Sequence, residues 1–236
     1  MAKQDLYTAP RRVASTVEDN EPSAEEKLKG VEKWYHNNNK LINNILVGVL
    51  AVAAGIFAYT RFYQAPKIQK SNDAIFRAQT YFSLDSINWA LNGDGANLGF
   101  LKIIDKYGST PAGNLSQYYA GVCYLKMGDF AKAEQHLKQF NGKGTMVALV
   151  AKGALGDAYM EQNKIDDAIK AYLDASIDDN NILLTPVYLE RAGMAYEMQN
   201  KTADAIKVYK QINDKFPTSP QSQNIKKSLA RLGEYN

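Results

Sequence analysis

The sequence predicts an all-α protein: a single N-terminal transmembrane helix followed by an α-solenoid of stacked helical hairpins. Three observations predict it. Leu41 to Thr60 carries no charge between Lys40 and Arg61. After residue 120 a Gly-x2-Tyr-x8-Ala pattern recurs three times at near-constant spacing. Gly-Asp or Asn-Lys pairs fall inside each repeat, where a helical hairpin needs its turn. A chain of 236 residues has room for one such domain plus appendages.

Residues 1–22 mix charge with few apolar side chains and show no periodicity, which predicts a disordered tail. Ser23 and Glu26 form a capping-box pattern at a helix start. Leu28, Val31, Trp34 and Tyr35 then share one helical face. Residues 23–40 are therefore expected as a juxtamembrane helix with Trp34 and Tyr35 at headgroup level. His36 and Asn37 to Asn39 read as a polar break after it.

The transmembrane helix is expected over 41–63. Twenty residues at about 1.5 Å each reach about 30 Å, the thickness of a bilayer's hydrocarbon core. Ile45, Leu46, Val47, Val49, Leu50, Val52, Ile56 and Phe57 each favour insertion by roughly 0.3–0.6 kcal/mol near the centre of such a helix. Asn43 and Asn44 sit at the end where headgroups solvate them. A buried core helix of this length would show a polar face, and this stretch has none. A cleaved signal peptide fits poorly, because the leader would be long and RFYQAP offers no A-x-A site. An uncleaved anchor in membrane lipid fits better. Tyr59, Phe62 and Tyr63 supply an aromatic belt on the far side, and Pro66 is expected to end or bend the helix. Ala51 with Gly55 and Ala54 with Ala58 form a small-xxx-small candidate packing face. Lys27, Lys29, Lys33 and Lys40 precede the span while Arg61, Lys67, Lys70 and Arg77 follow it, so charge leaves the orientation open.

The repeats lie within 71–236. They read GVCYLKMGDFAKAEQHL from Gly121, GDAYMEQNKIDDAIKAYL from Gly156 and GMAYEMQNKTADAIKVY from Gly193. Gly is followed by Tyr124, Tyr159 and Tyr196, then by Ala133, Ala168 and Ala205, then by the bulky Leu137, Tyr172 and Tyr209. Small residues allow close helix approach, and the bulky ones fill the space between hairpins. Gly128-Asp129, Asn163-Lys164 and Asn200-Lys201 mark the turns. This resembles the tetratricopeptide repeat, a helix–turn–helix unit of about 34 residues. A degenerate first unit precedes the three: a helix from about Asp73 to Asn92 lacks the glycine. In it Ala96, Phe100 and DKYGSTP parallel Ala205, Tyr209 and DKFPTSP. Gln221 to Arg231 fit a cap helix with Ile225, Leu229 and Leu232 inward.

Catalysis has no support. Only His36 and His136 occur, and no H-E-x-x-H, paired-Cys, G-x-S-x-G or P-loop pattern is present, so neither metal nor cofactor is expected. The glycines of NGDGANLG (93–99) are misplaced for a dinucleotide loop and read as a flexible turn. Asp178 to Asn181 lacks the calcium-loop spacing. Cys123 stands alone and reads as a small buried hydrophobe. The net charge of +3 is dispersed, without a basic, aromatic-laced stripe, so nucleic acid is not an expected partner.

In the tetratricopeptide family the first helix of each hairpin lines a concave surface through its second, fifth, ninth, twelfth and thirteenth positions. The resemblance carries these onto Leu115, Tyr118, Val122, Leu125 and Lys126, then Val150, Gly153, Asp157, Met160 and Glu161. The third set is Val187, Glu190, Met194, Glu197 and Met198. The candidate protein-binding groove is Tyr118, Val122, Leu125, Asp157, Met160, Glu190, Met194 and Met198. The Lys/Asn clamp that some family members close on a peptide carboxylate is absent. Either these residues form an apolar, Met-bearing groove able to repack around varied partners, or several of them pack against neighbouring hairpins.

The complete layout, with EEKLKGVEKWYHNNNKL running into one span and then a repeat domain, resembles the YfgM family from about Glu25 to the C-terminus. These are accessory subunits of the bacterial SecYEG translocon. The longer tail and the degenerate first repeat depart from that pattern. The resemblance implies an inner-membrane protein with a cytoplasmic N-terminus and a periplasmic repeat domain. It also implies SecYEG, a PpiD-like chaperone and emerging exported polypeptides as partners. Two alternatives are a scaffold for another envelope assembly or motility complex, and a regulator whose repeats face the cytoplasm.

Overall fold

The computed structural model describes residues 23–234; the expected tail over 1–22 lies outside them. The described chain is helical, with one isolated bridge, Gly93 to Leu98, in place of any strand. It divides into two units at Ala58/Tyr59.

The first unit is one helix, α1 (Ala24–Ala58). Its start is the capping box read in the sequence: the Ser23 N–H donates to Glu26 Oε2 (3.0 Å) and the Glu26 N–H to Ser23 Oγ (3.3 Å). The polar break expected at His36 to Asn39 does not form, and the separate juxtamembrane and membrane helices are one element. Each asparagine costs only about 0.7 kcal/mol relative to alanine, too little to stop a helix with good formers on both sides. Asn38 also donates its amide to the Trp34 carbonyl (2.9 Å), staying within the helix. No residue of α1 is buried, so its apolar side chains are not those of a core helix. It supplies the one stretch among the described residues long and apolar enough to cross a membrane.

The second unit begins with a π-helical turn, Tyr59–Gln64, leading into α2 (Ala65–Ser83). Pro66 lies in the first turn of α2. A proline has no N–H and crowds the carbonyl four residues back, and a widened turn before it relieves both problems. Pro66 therefore changes the hydrogen-bond register where the sequence suggested an end or a bend. The remaining helices are α3 (Ile87–Asn92), α4 (Phe100–Tyr107), α5 (Pro111–Met127), α6 (Phe130–Gln139), α7 (Met146–Glu161) and α8 (Ile165–Ala175). They continue with α9 (Thr185–Met198), α10 (Thr202–Lys215) and α11 (Pro220–Arg231). The pairs α5/α6, α7/α8 and α9/α10 are the three clear hairpins, and α11 is the cap, burying Ile225 and Leu229.

One turn geometry serves every hairpin. Asp85, Gly128, Asn163 and Asn200 adopt left-handed backbone, with φ of 56°, 79°, 58° and 57°. The residue after each donates its N–H to a tyrosine carbonyl: Ser86 to Tyr81, Asp129 to Tyr124, Lys164 to Tyr159 and Lys201 to Tyr196, all at 2.9–3.0 Å. This is the Schellman closure, and it gives the repeated tyrosine a backbone role as well as a packing one.

The same register corrects the reading of the first repeat. Its small residues are Ala78 and Ala90, both fully buried; Ala96 is exposed in a loop. The expected helix over 73–92 is two helices, α2 and α3, separated at Asp85. The segment 93–99 is inserted into the second helix and splits it into α3 and α4. Phe100 keeps its expected place and is fully buried. The insertion is not a loose turn, because Asp94 accepts from Tyr81 Oη (2.6 Å) and from the N–H groups of Asn97 (2.6 Å) and Ala96 (3.0 Å). These bonds hold its carboxyl well below the usual carboxylate range.

Inside the hairpins, the glycines mark helix contact. A Cβ on Gly121 would meet Leu137 Cγ at 2.6 Å, on Gly156 Tyr172 Cε1 at 2.5 Å, and on Gly193 Tyr209 Cε1 at 2.2 Å. Burial pushes the Cys123 thiol up to about 12, so it packs as a small hydrophobe.

Contacts between hairpins define two edges. On the turn edge, Lys126 pairs with Asp85 (2.6 Å), Lys164 with Glu134 (2.7 Å) and Lys201 with Asp166 (3.0 Å). On the opposite, linker edge, Lys67 bonds Ser109 (3.0 Å), Asn114 bonds the Asn141 carbonyl (2.8 Å) and Lys215 pairs with Asp179 (2.6 Å).

Gly193→Val is expected to cost about 1–3 kcal/mol through overpacking against Tyr209, each kcal/mol lowering Tm by about 2–4 °C. Gly30→Ala, with nothing within 4 Å of its added Cβ, should not lower it. Circular dichroism melting of the full chain in detergent checks both. Glu134 also accepts from Lys138 (2.6 Å), and its two lysines draw its carboxyl down to about 2. The unfolded chain therefore takes up this proton first, so stability present at neutral pH is lost as pH falls below the ordinary 4.5 toward about 2. Glu134→Gln should flatten that acid limb by about 1 kcal/mol in urea titrations.

Candidate protein-binding groove

The first helices α5, α7 and α9 lie side by side, so equivalent positions on them form a surface one repeat deep per helix. Along their C-terminal halves runs a cleft of about 550 Å³. Of the eight residues expected to line a groove, Leu125, Asp157, Met160, Met194 and Met198 border it together, joined by Lys126 and Glu161. Met194 and Met198 are 57% and 61% exposed, which a residue filling a joint between hairpins would not be.

Tyr118, Val122 and Glu190 do not border this cleft. Tyr118 is half-buried, its ring 5.2 Å from that of Tyr119 and 5.8 Å from that of Phe140. Burial raises its hydroxyl pKa. Val122 is likewise half-buried on α5. Glu190 is desolvated, which raises its carboxyl pKa against a side-chain bond to Asn224 on the cap helix. Tyr118 and Glu190 thus touch neighbouring elements, the end of α6 and the cap helix. Ala51, Ala54, Gly55 and Ala58 are exposed on α1, and a Cβ on Gly55 would meet nothing within 4 Å.

The floor of the cleft holds an arrangement that spacing did not reveal. Arg191 on α9 donates through Nη1 to Asp157 Oδ2 on α7 (2.7 Å), and Tyr172 Oη donates to Asp157 Oδ1 (2.8 Å). The Arg191 guanidinium also lies 5.7 Å from the centre of the Tyr188 ring. Burial together with the neighbouring carboxylate raises the Tyr172 hydroxyl far above its ordinary value, so it stays a donor. The motif recurs one repeat on: Tyr209 Oη donates to Glu197 Oε1 (2.7 Å), and Arg231 on the cap helix pairs with Glu197 Oε2 (2.8 Å). In both, the ring that fills the glycine gap extends its hydroxyl to an acid on the first helix, and an arginine from the following element completes the pair. Arg191, Tyr172 and Phe130 border the cleft without having been expected there. Tyr172 was legible as a packing residue, but Arg191 acts 34 positions from its partner and carries no local signal.

The arrangement offers thioethers, apolar carbons and two flanking charges, Lys126 and Glu161, with its central charges already paired. Among the described residues, no group of three or more His, Cys, Asp or Glu side chains could hold a metal ion.

Comparison with known proteins accords with this. The family model described as tetratricopeptide repeat-like domain matches residues 32–234. The chain belongs to that family. Among solved structures, a putative kinesin light chain from Podosopora anserina, described as having nearly identical TPR-like repeats, superposes with a TM-score of 0.54 at 14% identity. The match covers 69% of this chain and 85% of that one, and it shows the fold alone. No curated protein matches the sequence. A tetratricopeptide repeat-like domain is an interaction scaffold, and no catalytic family is indicated.

If the methionines serve a partner and not the fold, Met194→Ala with Met198→Ala should change unfolding free energy by less than about 0.5 kcal/mol. Leu189→Ala, at a 2% exposed position on the same helix, should cost about 2–5 kcal/mol. Urea denaturation followed by circular dichroism separates the two.

Proposed function

We propose that this protein is a membrane-anchored, non-catalytic accessory subunit of the Sec translocon, of the YfgM type. Its tetratricopeptide repeat-like domain sits in the periplasm near the channel exit. There it binds partner subunits such as a PpiD-like chaperone, emerging exported polypeptides, or both. The carrying observation is the cleft itself: exposed methionines on first helices whose central charges are already neutralised. A surface of this kind repacks around varied apolar side chains, which a receiver of diverse unfolded chains requires.

Two further observations support the reading. The family match runs from residue 32 to residue 234 and so includes the apolar stretch 41–60 together with the repeats. The anchor helix has no buried residue, which leaves its apolar surface for lipid or for partner helices through Ala51, Ala54, Gly55 and Ala58. The mechanism is then tethering: fixing a weak, permissive groove where clients emerge raises its effective concentration without any new contact. The cytoplasmic N-terminus and the inner-membrane location rest on the resemblance.

A photo-crosslinking residue at Met194 or Met198, in the full chain in native membranes, is expected to give adducts with translocon subunits, a periplasmic chaperone or exported chains. The same probe at Lys170, exposed on the second helix of its hairpin, should give few of them. Adducts only with subunits of another envelope assembly would replace this reading with the scaffold alternative. Equal adducts at Lys170 and Met194 would remove the groove from it.

A further inference from the structure

The chain enters the repeat domain on its linker edge. The π-helical turn Tyr59–Gln64 leads into α2, and Lys67 in the first turns of α2 reaches Ser109 in the linker before α5 (3.0 Å). The later linkers, 140–145 and 176–184, lie before the corresponding helices α7 and α9, hence at this same edge. The hairpin turns at Asp85, Gly128, Asn163 and Asn200 lie at the other.

The linker edge carries large apolar side chains pointing into solvent. Met146, Ile177, Ile182 and Leu183 are 59%, 66%, 70% and 71% exposed. The adjacent pair, Ile182 and Leu183, stands on a built turn. Asn181 Oδ1 accepts from the N–H of Leu183 (3.2 Å) and of Leu184 (2.9 Å), and Thr185 Oγ1 donates to the Asp178 carbonyl (2.6 Å). The ordering cost of presenting these side chains is therefore met before anything binds. Beside them a cleft of about 560 Å³, lined by Leu137, Phe140, Leu149 and Leu155, is bordered by Met146 and Ile177. Arg61, Lys67 and Lys143 add positive charge on this edge; of its two adjacent acids, Asp179 is paired with Lys215 (2.6 Å) and Asp178 borders the cleft. The turn edge also exposes Leu84, Trp89, Met127 and Met198, but there they flank the ion pairs Lys126–Asp85, Lys164–Glu134 and Lys201–Asp166 and stand on no linker.

We propose that the linker edge is a phospholipid-facing surface, with Met146, Ile177, Ile182 and Leu183 entering the interfacial layer and Arg61, Lys67 and Lys143 meeting anionic headgroups. The proposal rests on the tethered reading above, because the occupant is named by continuity. Tyr59, Phe62 and Tyr63, the aromatic side chains at the end of the anchor, open the same edge of the same unit. Apolar residues on a rigid turn, flanked by basic ones, immerse about 5–10 Å into such a layer. The methionine cleft follows the C-terminal halves of the first helices and so lies nearer the turn edge than the linker edge. Lipid contact at one edge would hold the groove at a set height.

The test uses the full chain with Cys123→Ser, reconstituted in vesicles of phosphatidylethanolamine and phosphatidylglycerol containing doxyl-labelled lipid. A fluorophore is attached at Leu183→Cys or Ile177→Cys, with Asp167→Cys and Thr202→Cys on the turn edge for comparison. Quenching by shallow doxyl lipid is expected to be at least about twofold stronger at positions 183 and 177 than at 167 and 202. Equal quenching at the two edges, or none at 183, overturns the proposal. Shielding of 183 from aqueous iodide without lipid quenching assigns the edge to a protein partner and also overturns it. A label at Val49→Cys separates the two readings. If Val49 is quenched by deep doxyl lipid and Leu183 is not, the lipid-facing edge fails alone; if Val49 is unquenched, the membrane tether fails with it.

Discussion

The repeat domain depends on one steric fit, a missing side chain on the first helix of a hairpin filled by a bulky one from the second. Gly121 takes Leu137, Gly156 takes Tyr172 and Gly193 takes Tyr209, at separations that leave no room for a Cβ. The fit sets how closely the two helices lie. The Schellman closure on Tyr124, Tyr159 or Tyr196 sets where the first helix stops. With both fixed, each hairpin presents the same apolar flank to the next. Stacking then proceeds by nearest-neighbour contact until α11 covers the last one.

The same fit organises the candidate groove. Tyr172 and Tyr209 are long enough to cross the gap and still place a hydroxyl beside Asp157 and Glu197. Leu137, in the equivalent place, has no hydroxyl to offer, and no such network forms in its hairpin. Arg191 and Arg231 then satisfy the acids from the following element, tying neighbouring repeats together through the floor of the surface. These pairs are partly exposed and contribute little stability individually. Their larger effect is on the character of the cleft, where the ionic groups are occupied and the methionines are left as the accessible feature.

The two edges of the domain differ for a related reason. Turn residues must be short and polar to close a left-handed cap, so that edge fills with Asp, Asn and Lys and is sewn together by ion pairs. Linkers between hairpins have no such constraint. They vary in length, and the longest of them displays Ile182 and Leu183. The chain also enters the repeat domain at this edge, through the turn Tyr59–Gln64.

The sequence by itself determined the period, the hairpins, their turns, the cap and the long apolar N-terminal helix, because each follows from local rules. Left-handed turns favour Gly or Asn, close crossings require small residues, and an unbroken run of helix formers without charge reads as one apolar helix. Local rules also misled where they were marginal. A run of asparagines looked like a break, but its propensity cost was too small to interrupt α1. In the first repeat, the downstream match to DKFPTSP drew attention to Ala96, although the register set by Ala78, Tyr81 and Asp85 points to Ala90. Only the tertiary structure decided which groove positions remain open: Val122 shares its helix position with Asp157 and Met194, which border the cleft, while none of the fifth-position residues Tyr118, Gly153 and Glu190 borders it. It alone brought Arg191 to Asp157 and assembled the linker edge from segments far apart in the chain. Those are long-range contacts, settled by how whole hairpins stack, and no spacing within one repeat encodes them.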